Sequence, residues 1–155
     1  MENMLKPHKG LLFAATTMFI AMILLITVAA LTLPLWLSVY LKYLHTHRHT
    51  DFLALMWILF FSAIQAVGIL INATVILLNV NKGKTFVREN YTKIRVMGYL
   101  SFGITLLFVS CIFVYLTPYT IVFVAGSAMA GVLLFIVADL LKQGIAMQEE
   151  NDLTV

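Results

Sequence analysis

The chain has 155 residues and a formal net charge of +3; 62% of its residues are apolar and only 11% are charged. A soluble domain carries about 25% charged residues, so this composition cannot coat a water-facing globule and belongs with integral membrane proteins. The single cysteine, Cys111, excludes an intrachain disulfide, a two-cysteine redox site and an all-cysteine metal site.

A membrane-spanning helix takes about 20 mostly apolar residues. Four runs qualify, at about 11–41, 52–78, 96–116 and 119–141, within a single domain 1–155. Their apolarity is continuous rather than alternating, which argues against barrel strands. The predicted class is all-α, an integral membrane four-helix bundle. The first run follows Lys6 and Lys9 as a signal peptide would. It continues well past the ~7–15 residues of a signal core, so it is read as an uncleaved span. Pro34 predicts a kink or an end there, because it removes a backbone donor and clashes with the preceding turn. Trp36, Tyr40 and Tyr43 follow, suited to the membrane–water boundary.

The loop after the first span contains His45, His47 and His49 at spacing two. Three imidazoles can bind Zn, Cu or Ni. Arg48 among them opposes a cation, and His8 lies across the membrane. The favoured reading is a solvated loop, held at the headgroups by Lys42 and Arg48, with no metal and no other cofactor.

In span two, Ser62, Gln65, Gly68 and Asn72 share one helical face. Helix contacts in lipid favour small and polar residues, so this face is read as packing. A polar pathway past Gln65 and Asn72 is the alternative. The loop 79–95 is basic. Asn79, Asn81 and Gly83 suit a turn. A helix resumes near Thr85, with Phe86, Asn90, Ile94 and Gly98 along one face. Spans three and four join at Thr117-Pro118 as a tight hairpin. Span three offers Gly98 and Gly103. Span four offers two small-xxx-small pairs, Gly126 with Ala130 and Ser127 with Gly131. The tail, 142–155, holds Glu149, Glu150 and Asp152, three of the seven acids.

Basic residues set the orientation. The N-terminus, the 79–95 loop and the tail carry Lys6, Lys9, Lys82, Lys84, Arg88, Lys93, Arg95 and Lys142, against Lys42 and Arg48 on the other side. Eight against two places both termini in the cytoplasm, N-in/C-in, by the positive-inside rule. No catalytic constellation stands out. The spans hold neither the histidines of an intramembrane haem site nor the embedded carboxylate of a four-helix proton-coupled transporter. An intramembrane protease needs an Asp pair or a Ser–His set, and neither is visible.

Two segments carry a resemblance. One is Phe86-Val87-Arg88-Glu89-Asn90 with Ile94-Arg95 and Gly98-Tyr99. The other runs from Gly144 to Glu149-Glu150-Asn151-Asp152-Leu153-Thr154-Val155. With four spans and this length, the chain resembles the bacterial membrane family called domain of unknown function 2975, over essentially its whole length. The resemblance brings no established activity. Members are often encoded beside a small helix-turn-helix regulator of the Cro/repressor type, which implies a membrane partner for a DNA-binding protein.

The expected function is a non-enzymatic membrane regulator in the cell membrane, binding a cytoplasmic protein. The candidate surface is Phe86, Arg88, Glu89, Asn90, Arg95, Glu149, Glu150, Asn151 and Asp152. The alternative is a small transporter or permeability factor using the Gln65/Asn72 face. Membrane lipids, a cytoplasmic regulator and a second copy of the chain are the partners considered; direct nucleic-acid binding is not expected.

Overall fold

The computed structural model describes residues 9–43, 49–114 and 116–153. They form four α-helices: α1 (Lys9–Tyr43), α2 (His49–Asn81), α3 (Arg88–Val114) and α4 (Pro118–Leu153). Each is long and apolar enough to cross a membrane, over Gly10–Tyr43, Phe52–Asn81, Arg88–Phe113 and Pro118–Asn151. The chain is an all-α, multi-pass membrane protein. The start of α1, the end of α2, the start of α3 and the end of α4 share one end, here called the basic end.

Packing runs between chain neighbours: α1 on α2, α2 on α3 and α3 on α4. Among the described residues, α1 and α4 make no close backbone contact; they meet across a cavity of about 400 Å³ at the end far from the basic end, lined by Trp36, Leu37 and Tyr40 of α1 and by Tyr119, Thr120 and Phe123 of α4. Lipid tails are as apolar as leucine, so nothing in a bilayer forces α1 against α4 along their whole length.

Pro34 does not end α1, which continues to Tyr43 as one helix. Neighbouring helices and local adjustments make proline tolerable inside a spanning helix. Far from the basic end, Leu37 and Leu41 of α1, Leu55 of α2 and Cys111 of α3 form a buried apolar cluster. Cys111 sits there as a small hydrophobe. At the α3–α4 hairpin, Thr117 Oγ1 accepts the Thr120 amide at 3.3 Å. Thr117 is the N-cap and Pro118 the first helical residue, where its missing N–H costs nothing.

The α3–α4 pair is the most closely fitted. Gly98 faces the Phe135 ring and Gly131 faces the Phe102 ring, and the two rings stack at 5.9 Å. Ser101 Oγ donates to the Ser127 carbonyl at 2.8 Å, and the Thr105 and Ser127 hydroxyls meet at 2.9 Å. Of the two small-residue pairs in α4, Ser127/Gly131 serves this contact, whereas Gly126 faces open space.

Between α2 and α3, Gln65 lies against Gly103 and Gly68 against Leu100. Asn72 instead returns its side-chain amide to its own helix, donating to the Gly68 carbonyl at 2.8 Å. Gln65 Oε1 is buried with no hydrogen-bond partner. Removing an unsatisfied buried group by an apolar one of the same shape is neutral or stabilising. Gln65→Met is therefore expected to leave stability unchanged or raise it by up to about 1 kcal/mol. Thermal unfolding in detergent checks this, and a clear loss of stability would show that Gln65 has a partner in the membrane. His45, His47 and Arg48 lie outside the described residues, as does the side chain of His49.

Candidate functional site

The basic end is organised by the way α2 stops. Gly83 has φ +74°, the left-handed conformation that glycine adopts without penalty. Its amide donates to the Val80 carbonyl at 3.0 Å, and the Lys84 amide donates to Asn79 at 2.9 Å. These two bonds are a Schellman cap, satisfying carbonyls that the helix end leaves open.

Asn90, in the first turn of α3, then locks the connection. It is 1% exposed. Its Nδ2 donates to the carbonyls of Lys84 and Thr85, each at 2.9 Å. Its Oδ1 accepts from Asn79 Nδ2 at 2.9 Å. A side chain so enclosed is an internal strut of the loop and presents nothing to a partner.

Phe86 leaves this loop and lays its ring against Gly144 of α4, where an added Cβ would stand 2.7 Å from the ring. The glycine gives the ring access to the α4 backbone. Arg88 and Glu89 are exposed on the first turn of α3. Arg95 lies between two tyrosines. Its Nη1 donates to Tyr91 Oη and its Nη2 to Tyr99 Oη, each at 3.0 Å, with the guanidinium 5.7 and 5.8 Å from the two ring centres.

The tail is helical. α4 runs unbroken to Leu153, so Glu149, Glu150, Asn151 and Asp152 stand on its last turns. Glu149 and Arg88 line the same cavity, of about 310 Å³, together with Tyr91, Thr92, Lys142, Ile145 and Ala146. A second, of about 610 Å³, is lined by Gly83 to Val87 of the loop, by Val80 and by Gln148. The structure thus brings Phe86, Arg88 and Glu149 together at the loop–α4 junction, sets Arg95 among its tyrosines, and encloses Asn90. Sequence reasoning gave no site role to Tyr91, Lys142 and Gly144. An isolated glycine inside an otherwise helical run was the available signal for Gly144.

No curated protein and no solved structure matches the chain. One family model matches residues 5–155, and its description is "Protein of unknown function (DUF2975)". With that match over nearly its whole length, the chain belongs to the DUF2975 family.

Proposed function

We propose that this chain is a non-enzymatic regulator of a bacterial cell membrane, with both termini in the cytoplasm, binding a cytoplasmic protein through the 82–87 loop, the first turn of α3 and the end of α4. The carrying observation is the docking of Phe86 on Gly144, which ties loop and α4 into one surface. The length of α4 adds to it. Its 36 residues rise about 54 Å at 1.5 Å each, against roughly 30 Å of hydrocarbon. Spanning alone does not call for the excess, nor for acids upon it.

The partner class is a helix-turn-helix DNA-binding protein. The acids of α4 offer charge complementarity to its basic DNA-reading face. Such contacts between exposed charges are screened beyond roughly 8–10 Å at physiological ionic strength, so the binding is salt-sensitive. The transporter alternative needs Gln65 and Asn72 to share a pathway. Asn72 has its amide on its own backbone, which weighs against that pairing.

The test places a photo-crosslinker at Glu150 and removes Glu149 to Val155 in a second variant. The expected result is a salt-dependent crosslink to a DNA-binding protein, lost on truncation while four-span insertion is kept. A crosslink that survives truncation, or none to any such protein, removes the reading. A C-terminal reporter active only outside the cell would overturn the orientation.

A further inference from the structure

The cavity between α3 and α4 at the basic end has a chemistry of its own. Arg88 and Lys142 both line it, and neither makes an ion pair with another described residue. Tyr91 Oη accepts a hydrogen bond from Arg95, which leaves its own proton free for an acceptor. Thr92 is engaged, donating to the Arg88 carbonyl at 3.1 Å. The residue before α3 is Val87, which has no side-chain acceptor, so the first-turn amides of Arg88 and Glu89 lack a side-chain cap. The positive end of the helix dipole adds to the two cations. Ile145, which is buried, and Ala146 supply an apolar wall.

The register of the hairpin sets the depth. Gly98 faces Phe135, and Phe102 faces Gly131. Counting antiparallel from these pairs puts Tyr91 level with Lys142 and Arg88 level with Ile145. Glu149 then falls about a turn further out, ~6 Å along the axis, at the rim. Asp139 is not part of the lining. Lys142 follows directly on the apolar run of α4, so the cavity begins where hydrocarbon gives way to headgroups. Cations in pockets between spanning helices at that depth attract anionic lipid headgroups.

The geometry points to a phosphate site that takes the headgroup of an anionic phospholipid, held by Arg88, Lys142 and the Tyr91 hydroxyl. Arg95 acts as a positioning residue, fixing Tyr91 so that its proton faces the phosphate. The site rests on the α3–α4 geometry and stands whether or not a protein partner binds the same end. A lipid fits better than free phosphate because the wall is apolar and the site adjoins the bilayer.

The test uses the full chain in non-ionic detergent, with native mass spectrometry reading retained phosphatidylglycerol, phosphatidylcholine as the zwitterionic control and inorganic phosphate as competitor. The variants are Arg88→Gln with Lys142→Gln, and as a charge-matched control Lys82→Gln with Lys84→Gln, exposed residues outside this cavity. Removing a cation near a membrane surface costs about fivefold in anionic-lipid binding. The first pair is therefore expected to lower phosphatidylglycerol retention roughly 25-fold, with the control near wild type. Tyr91→Phe should give a smaller loss. Unfolding temperature in lipid-free detergent checks that each variant is folded; should the first pair fail to fold, Lys142→Gln alone is read the same way. Equal retention of the two lipids, or equal losses in both pairs of variants, overturns the site. Displacement of the lipid by millimolar phosphate overturns the lipid assignment in favour of a soluble phosphate compound.

Discussion

Replacing Asn90 by Leu is expected to destabilise the protein by about 3 kcal/mol, because each buried polar group left without its partner costs roughly 1–3 kcal/mol. The groups at stake are the Asn79 amide and the carbonyls of Lys84 and Thr85, all bonded to this one side chain. Lys84 and Thr85 are exposed, so water relieves part of the penalty, which keeps the figure near the lower end of the sum. Leucine shares the branching of asparagine but is larger and offers no bond. Asn90→Asp is the sharper probe: it keeps an acceptor for Asn79 but turns a carboxylate toward two carbonyls. It should be at least as damaging as Leu at neutral pH. Asn79→Ala removes one bond and should cost least. Thermal unfolding in detergent ranks the three, and proteolysis in vesicles reports whether 82–87 has come loose. An Asn90→Leu protein with wild-type stability and a protected loop would refute the strut.

That loop shows where sequence reading stops. Asn79, Gly83 and Asn90 each announced a turn or a helix face, and the cap at Gly83 follows from the chemistry of glycine. Nothing local says that Asn90 reaches back to the carbonyls of 84 and 85, because that depends on the angle at which α3 leaves the loop. The four helices were legible because runs of about 20 apolar residues leave few alternatives. Which helices pack closely was not, since helices apolar all round give no face to orient. The helix of the tail follows from composition: Lys142, Gln143, Ala146, Met147, Gln148, Glu149 and Glu150 are all good helix formers. Propensity, rather than charge, told the outcome there, and only Gly144 interrupts it. The phosphate site needed Arg88 and Lys142 in one cavity, and they are brought together only by the hairpin register.

Gly131→Leu and Gly126→Leu should part sharply, although the sequence offers both glycines as small-xxx-small contacts. A Cβ at Gly131 would stand 2.9 Å from the Phe102 ring, whereas one at Gly126 meets nothing within 4 Å. Phe102 has little room to yield, because it stacks on Phe135, and Phe135 is edge-on to Tyr99 at 5.0 Å. Overpacking a fitted contact costs typically 1–3 kcal/mol, and forcing α3 from α4 also strains the Ser101–Ser127 bond one turn away. We expect Gly131→Leu to lose about 3 kcal/mol. Gly126→Leu should be neutral or gain up to ~1 kcal/mol, since glycine is a poor helix former. The consequence reaches the basic end. Arg88 and Lys142 are held in one cavity by this same pair of helices, so Gly131→Leu should weaken phosphatidylglycerol retention even though it touches no residue of the site. Gly131→Leu with Phe102→Ala restores room for the new side chain and should recover part of both losses. Equal effects of the two glycine substitutions on unfolding temperature would mean that α3 and α4 do not meet at Gly131, and the register on which the phosphate site rests would fall with it.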